Sequence, residues 1–281
     1  MEVWGNVSLL LSSGLSPFRR DQFMNGELDW SSGWIMRPDH RAHRLYVEAS
    51  LREGADVVLS PEQSHYLDRV MRAKMGDVVI AFNNHEGEWR GHIAETGRKA
   101  VTLHLDHALR PPAPQGRVSY FFAPLKQARL DYMVQKAVEM GVARLGAVMT
   151  QHTMVSRLNL ERMQANAIEA AEQCTMIAVP EVLPEQKLEA MLANRPADDI
   201  LVFCDEAAPV SSPLQALSTI GADRPISVLI GPEGGFSDAE RGLLLAQPNV
   251  IVLSLGPRIM RADTAAVAAL AFVQAVCGDI T

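Results

Sequence analysis

The spacing of hydrophobic positions changes near residue 118, and this change predicts two domains of different architecture. Before it, short apolar runs bounded by turn residues predict strands near residues 57–59, 78–82, 89–94 and 100–105. One helix is predicted among them, with Ser60 as its N-cap and its end near Lys74. Several short strands with a single helix are typical of a small barrel.

After residue 118 the apolar runs alternate with helical stripes, which indicates a parallel α/β sheet. The strands predicted in this part lie at residues 118–123, 145–149, 200–204, 226–230 and 250–253. The helices predicted there lie near residues 130–138 and 160–174, after a capping box at Ser237, and at 263–277. The last helix is apolar on nearly every side, so we expect it to be buried in the sheet layer or against another subunit.

Proline marks the boundary between these two parts. Residues 111–116 predict a stiff linker between a domain at residues 41–110 and a domain at residues 117–281. Residues 1–40 show no sustained periodicity. We expect them to be a disordered tail. Alternatively, Met36 is the natural start of the protein and the preceding residues come from a start codon assigned too far upstream.

Composition narrows the class of protein. The chain has 281 residues, of which 48% are hydrophobic and 21% charged, as in ordinary soluble globular proteins. Its three cysteines, Cys174, Cys204 and Cys277, form no C-x-x-C pair, which argues against a disulfide framework and against a zinc or other metal site. No apolar run is long enough to cross a membrane, so the expected location is the cytoplasm.

The distribution of charge bears on a nucleic-acid partner. The net charge is −7, but residues 118–281 carry 12 Lys and Arg against 18 Asp and Glu, whereas residues 36–117 carry 12 against 11. Seven of the eight histidines also lie in the first part. This balance argues against non-specific nucleic-acid binding and leaves room for a locally basic groove that recognises one structured RNA site.

Two glycine-containing segments near the C-terminus carry the chemistry. Residues 229–237 read Leu-Ile-Gly-Pro-Glu-Gly-Gly-Phe-Ser, and residues 255–265 read Leu-Gly-Pro-Arg-Ile-Met-Arg-Ala-Asp-Thr-Ala. Each follows an apolar strand and precedes a helix, so two strand ends offer bare backbone to one ligand. Neither segment matches the common nucleotide-binding motifs. The residues alone therefore predict an anion or nucleoside pocket, and the first segment by itself is equally compatible with a tight strand-to-helix turn.

Together the two segments closely resemble the cofactor loops of the SPOUT methyltransferases, specifically the ribosomal RNA small subunit methyltransferase E family, which methylates N3 of a uridine. The resemblance extends over about residues 41–278, with further matching motifs at residues 134–142 and 168–174. It implies a C-terminal knotted α/β domain with a parallel sheet, preceded by a small, mostly β, PUA-like RNA-binding barrel. It also implies S-adenosylmethionine as the cofactor and a homodimer formed through the knotted domain.

The resemblance also assigns roles to individual residues. The cofactor residues it implies are Leu229, Gly231, Pro232, Gly234, Leu255, Gly256, Ile259, Met260, Thr264 and Ala265. The catalytic candidates are Arg258, Arg261, Glu172 and Glu233. The candidates for RNA binding follow from the basic side chains themselves and are Arg44, Arg69, Arg72, Lys74 and Lys126. A merely solvated side chain explains Lys126 equally well.

Alternative interpretations of the catalytic candidates remain open. Arg258 and Arg261 are suited to a uracil carbonyl or an RNA phosphate, but each is also suited to a surface ion pair with Asp263 or Glu233. Glu233 has the chemistry to accept a proton or orient a ribose, yet a carboxylate at a helix start is often only a dipole partner. Glu172 matches the family motif, although a solvated polar face explains it equally well. An arginine expected shortly after that motif is absent from this chain.

Taken together, the resemblance implies an S-adenosylmethionine-dependent methyltransferase that acts on N3 of a uridine in small-subunit (16S) ribosomal RNA. The weak basicity suggests an assembled or nearly assembled subunit as the substrate. Two alternatives remain: a SPOUT methyltransferase that acts on another RNA nucleotide, and a non-catalytic RNA-binding protein that retains the fold.

Overall fold

A computed structural model describes residues 42–97, 100–155, 157–209, 211–221 and 223–278, and these residues form two β-sheets. The tail predicted at residues 1–40 lies outside the described residues. The first sheet has five strands in the order β1-β3-β4-β5-β2. Their bounds are β1 His43–Tyr46, β2 Asp56–Val58, β3 Val78–Asn83, β4 Gly87–Thr96 and β5 Val101–Arg110. The pairing of β1 with β3 is parallel and the other pairs are antiparallel.

One short helix, α1 (Pro61–His65), packs on this sheet, and its start was predicted correctly. The Ser60 hydroxyl accepts from the backbone N–H of Gln63, whose side chain accepts in turn from the Ser60 N–H. The helix then widens into a π-helical segment, Tyr66–Val70. The predicted end at Lys74 is wrong, because Arg72 takes a left-handed φ of 54° and no helix continues through it.

The second sheet has six parallel strands in the order β11-β9-β10-β6-β7-β8. Their bounds are β6 Val118–Phe122, β7 Arg144–Met149, β8 Glu181–Lys187, β9 Ile200–Cys204, β10 Ile226–Ile230 and β11 Val250–Leu253. The central strands are mostly apolar because helices cover both faces of the sheet. Between the two sheets, residues 111–116 are exposed and without regular structure.

In the described part of the chain, six helices flank the parallel sheet: α2 Gln127–Glu139, α3 Leu160–Cys174, α4 Leu188–Ala193, α5 Pro213–Leu217, α6 Asp238–Leu245 and α7 Ala262–Cys277. Tyr120 and Phe122 pack in a core with α2, α3, α5 and α7, while Phe121 packs on the opposite face with α4 and α6. Helix α7 lies against α2, α5 and β10, as its apolar composition indicated. Within the described ranges, no helix is long and apolar enough to cross a membrane.

Candidate active site

A cavity of about 590 Å³ opens at the carboxyl ends of β9, β10 and β11, which lie side by side in the sheet. Ligands of open parallel sheets bind at this edge, because the loops that leave the strands converge there. Three segments line the cavity: residues 204–207 after β9, residues 230–236 after β10, and residues 253–260 after β11. The two glycine-containing segments found in the sequence therefore share one cavity.

The segment after β10 approaches its own aromatic side chain closely. A Cβ added at Gly231 would lie 2.5 Å from the ring of Phe236, so only glycine fits there without moving the ring. The Phe236 ring in turn packs edge-on against Phe203, with ring centroids 5.2 Å apart. The segment ends in the predicted capping box, in which Ser237 and Glu240 exchange hydrogen bonds at the start of α6.

Two contacts from outside hold this segment in place. The Nδ1 atom of His152 lies 3.1 Å from the carbonyl oxygens of both Gly234 and Gly235 and donates to them in the tautomer that carries a proton there. On the other side, Arg129 of α2 forms an ion pair with Glu233. Glu233 is thus fixed at the rim of the cavity by a cation.

The segment after β11 presents mainly backbone and apolar side chains. The Ser254 hydroxyl accepts from the Gly256 N–H at 3.3 Å, and Gly256 has a φ of 103°, which a residue with a side chain rarely adopts. Ile259 lies at the mouth of the cavity and is 92% exposed. Helix α7 begins immediately afterwards and contributes Ala262 and Ala265 to the lining.

The segment after β9 was not predicted as part of the site. Asp205 is buried at the cavity wall, where it accepts from Arg241 Nε at 2.9 Å and from the Ala207 N–H at 3.0 Å. The available signal was the pair Asp205-Glu206 directly after an apolar strand. That signal acquires meaning only from the strand order, which places β9 between β10 and β11.

The charged groups of the lining are predominantly acidic. They are the carboxylates of Asp205, Glu206, Glu233 and Asp238 and the guanidinium groups of Arg241 and Arg258. The thiol of Cys204 also reaches the cavity, but burial raises its pKa to about 12, so it stays protonated and is a poor nucleophile at neutral pH. Among the described residues, no cluster of three or more His, Cys, Asp or Glu side chains has the geometry of a metal site.

The predicted cofactor residues fall into two groups. Those that line the cavity are Gly231, Pro232, Leu255, Gly256, Ile259, Met260 and Ala265. Three others do not line it. The Leu229 side chain is fully buried in the core on the α4 and α6 face, Gly234 faces His152, and Thr264 is exposed on the first turn of α7.

Of the catalytic candidates, Arg258 and Glu233 line the cavity. Arg261 is the exposed N-cap of α7, adjacent to the lining residue Ala262. Neither Arg258 nor Arg261 forms a salt bridge within the part of the chain that the structure describes. The ion pairs considered for them are therefore not formed, and Glu233 pairs with Arg129 instead.

The prediction for Glu172 needs correction. Its carboxylate does not line the cavity but accepts from the backbone N–H of Tyr46, in the first domain, at 2.9 Å. Burial raises the pKa of this carboxyl group, and the hydrogen bond from Tyr46 only partly offsets that effect. Glu172 therefore belongs to a contact between α3 and the five-stranded sheet.

The predicted RNA-binding residues also fall into two groups, exposed and buried. Arg69, Arg72, Lys74 and Lys126 are exposed. Arg44 is not, because its side chain is only 6% exposed and its guanidinium group is committed to Glu88 and to carbonyl groups at the end of α3. The prediction that Arg44 contacts phosphate is wrong for this reason.

The cavity fits an adenosine-containing cofactor that carries positive charge. Backbone groups of the two glycine segments and the apolar side chains of Leu255, Met260 and Ala265 suit the edges and faces of a base. Carboxylates at the end of a strand are suited to bind ribose hydroxyl groups, and Asp205 and Glu206 lie in this position directly after β9. Asp205 is paired with Arg241 and Glu233 with Arg129, which leaves the carboxylates of Glu206 and Asp238 against the guanidinium group of Arg258. This acidic excess favours a cationic ligand over a polyphosphate.

Two family models match the chain. The model described as an RNA methyltransferase domain matches residues 111–274, and the model described as an RNA methyltransferase PUA domain matches residues 59–106. The matches fall on the parallel sheet and on the five-stranded sheet respectively. The predicted resemblance and the mixed α/β fold class are thereby confirmed.

Named relatives agree with these models. The chain is 27% identical over 233 residues to the ribosomal RNA small subunit methyltransferase E of Rickettsia conorii, which covers 83% of this chain and 95% of that protein. It is 29% identical over 255 residues to the protein of the same name from Synechocystis, over 88% of this chain and 80% of that protein.

Solved structures show the same fold. The ribosomal RNA small subunit methyltransferase E of Neisseria gonorrhoeae, bound to S-adenosylmethionine, superposes with a TM-score of 0.77 at 24% identity, over 85% of this chain and all of that one. A protein of Legionella pneumophila, solved with bound S-adenosylmethionine, gives a TM-score of 0.71 at 26% identity, over 84% and 98% of the two chains.

Proposed function

Because the chain belongs to the RNA methyltransferase family, we propose that it transfers the methyl group of S-adenosylmethionine to N3 of one uridine in small-subunit (16S) ribosomal RNA. The observation that carries the proposal is the single cavity enclosed by the segments after β9, β10 and β11. Its glycine backbone, apolar walls and acidic lining together suit this cofactor. The named relatives support the choice of small-subunit ribosomal RNA.

The cavity residues act chiefly by holding the partners. When bound, the cofactor supplies a methyl group already activated on its sulfonium, so the chain has mainly to bind, orient and manage one proton. Gly231, Gly256 and Met260 provide backbone and apolar contact, and Asp205 and Glu206 provide acceptors for hydroxyl or ammonium groups. Alignment of the methyl group with the acceptor nitrogen accounts for much of the rate.

The two arginines of the segment after β11 supply electrostatic stabilisation of the charge that develops during methyl transfer. As N3 loses its proton, negative charge develops on the uracil carbonyl oxygens and needs donors. Arg258 lines the cavity and Arg261 is exposed next to the lining residue Ala262. Neither forms a salt bridge with the residues that the structure describes, so both guanidinium groups are suited to this role. Glu233, already paired with Arg129, fixes the opposite segment and is a less suitable general base.

The exposed face of the first domain offers a surface for RNA. Arg69, Arg72 and Lys74 are exposed in the same stretch of chain as the exposed side chains of Tyr66 and Met75, and Arg69 also pairs with the neighbouring Asp68 at 3.0 Å. Basic groups for phosphate beside apolar and aromatic groups for bases are the usual composition of an RNA-binding surface. Lys126, at the start of α2, adds a cation on the second domain.

The same proposal includes an assembled subunit as the substrate, a homodimer as the active form and the cytoplasm as the location. The net charge of −7 provides little general attraction for RNA, so shape and ribosomal proteins help to position the substrate. Helix α7 leaves Val267, Ala268 and Ala271 only partly buried, which suits a partner subunit.

Purified protein tests the proposal when it is incubated with labelled S-adenosylmethionine and small subunits from a strain that lacks the gene. We expect one methyl group per subunit, on N3 of a uridine, and a much slower reaction with naked RNA. Arg261→Ala is the control for dependence on the site. Label on another nucleotide, or no label at all, rejects the assignment, and equal rates on RNA and subunits reject the assembled substrate.

A further inference from the structure

A buried cluster of charged side chains joins the first domain to the end of α3, and we call Arg44, Glu88 and Arg110 the arginine clamp. Arg44 Nε donates to Glu88 at 2.6 Å, and Arg110 Nη2 donates to the same carboxylate at 2.7 Å. The side chains of Arg44 and Glu88 are only 6% and 3% exposed. Burial acts to raise the pKa of Glu88, but hydrogen bonds from Arg110 and Arg44 outweigh it and the pKa is lowered.

The clamp donates its remaining hydrogen bonds to the C-terminal end of α3. Arg44 donates to the carbonyl oxygens of Ala171 at 2.7 Å and Met176 at 2.8 Å, and Arg110 donates to that of Thr175 at 2.9 Å. The last carbonyls of a helix lack partners within it and carry partial negative charge, so two guanidinium groups from another domain stabilise this end.

The residue at the centre of this contact is strained. Thr175 is the C-cap of α3 and has a φ of 64°, which is unfavourable for a β-branched side chain. Such conformations persist only where the surroundings enforce them. Here the clamp holds the carbonyl groups on both sides of the strained residue.

Three further contacts hold the same two domains together. The Tyr46 N–H donates to Glu172, and the Asn84 side chain both donates to and accepts from the backbone of Val179, at 3.0 and 2.8 Å. Phe82 of β3 is fully buried in the core of the second domain, beneath the Arg44 guanidinium group. Directional hydrogen bonds at several points fix an orientation, which apolar contact alone does not do.

Helix α3 is connected in turn to the cavity. Arg162 and Asn166 of α3 both donate to Asp131 of α2, at 2.6 and 2.7 Å, and Arg129 of α2 pairs with Glu233 at the cavity rim. The first domain, α3, α2 and the segment after β10 therefore form one continuous set of directional contacts.

We propose that Arg44, Glu88 and Arg110 are positioning residues, which fix the exposed basic surface of the first domain relative to the cavity so that one RNA substrate engages both. The inference rests on the proposed function for the identity of the substrate. Two sites joined rigidly at the correct separation bind a common ligand more tightly than the same sites joined loosely. Loosening the clamp therefore uncouples the basic surface from the cavity without changing either one.

A double-mutant cycle on the full chain tests this role, with affinity for isolated small subunits as the readout. The first pair of changes, Arg69→Gln with Arg72→Gln, removes charge from the basic surface. The second change is Arg44→Lys, which keeps the charge but cannot make the directed bonds of the guanidinium group. Asn84→Ala loosens the same contact without touching a buried charge.

We expect the surface changes to weaken subunit binding about tenfold in the wild-type background but only about twofold in the Arg44→Lys or Asn84→Ala background. In the Arg44→Lys and Asn84→Ala variants, turnover at saturating subunit and affinity for S-adenosylmethionine should change less than about twofold. Arg195→Lys is the matched control, since Arg195 is also 6% exposed and paired with a buried carboxylate, Asp199, away from the domain contact. It should leave the tenfold effect intact.

Additive effects in both loosened backgrounds would overturn the inference, and so would equal loss of coupling in Arg195→Lys. Because binding is measured without catalysis, the inference and the proposed function can fail separately. Wild-type protein that binds subunits but methylates no uridine rejects the function alone, and protein that binds no subunit rejects both.

Discussion

Gly231→Ala places one methyl group where the structure has least room beside the cavity. The added Cβ would lie 2.5, 2.9 and 3.1 Å from three atoms of the Phe236 ring. Carbon atoms in contact lie at about 3.5–4.0 Å, so the ring has to move by roughly 1 Å. Because Phe203 packs against the ring on its other side, we expect Phe236 to swing toward the cavity.

The magnitude follows from the cost of overpacking. An extra methyl group in a packed region costs about 1–3 kcal/mol. If displacement into the cavity shifts this cost onto cofactor binding, affinity for S-adenosylmethionine falls by about 5- to 150-fold, at about 1.4 kcal/mol per factor of ten. The free energy of unfolding measured without cofactor should change by less, because the ring can then move into the cavity without displacing a ligand.

Isothermal titration with S-adenosylmethionine and urea unfolding measure the two quantities. Gly242→Ala is the control, because Gly242 lies within α6 and an added Cβ there has no atom within 4 Å. That change should leave binding unaltered and stabilise the protein by about 0.5–1 kcal/mol. If Gly231→Ala binds the cofactor as tightly as wild type, the reasoning about the cavity wall is wrong.

Three further outcomes are expected. Arg261→Ala should lower turnover by about 10²–10³-fold while cofactor affinity stays within about twofold, and rapid-quench methylation assays decide this. His152→Ala should speed hydrogen exchange in the segment after β10, and unchanged protection would exclude His152 as its anchor. Glu88 has a lowered pKa, so its stabilisation is present above the ordinary glutamate pKa and lost as pH falls through the lowered value. The gap in unfolding free energy between wild type and Glu88→Gln should therefore narrow on acidification, and a constant gap in urea titrations would contradict this.

Local patterns predicted the elements that build the cavity. Strands β9, β10 and β11 begin and end at the predicted residues, because strands packed beneath helices are mostly apolar and stand out from the polar segments around them. The capping box at Ser237 fixed the start of α6 for a similarly local reason. Strand β8, at the edge of the sheet, was missed because all of its positions are exposed or only partly buried and it contains Pro184.

Residues whose role depends on partners far away in the sequence were misjudged or missed. The sequence around Arg44 predicts a surface cation. In the fold, Glu88 and the end of α3, which is more than 120 residues away, enclose its guanidinium group. Glu172 and Asp205 are likewise defined by Tyr46 and Arg241. Burial of a charged side chain is a property of the assembled fold, and periodicity along one element does not encode it.

The most direct test of the account is nucleoside mass spectrometry of small-subunit ribosomal RNA from a strain in which the gene is deleted. The account predicts loss of one N3-methyluridine, restored by the wild-type gene but not by Gly231→Val, which fills the cavity wall. Persistence of that nucleoside in the deletion strain, or its full restoration by the gene that carries Gly231→Val, would contradict the central claim.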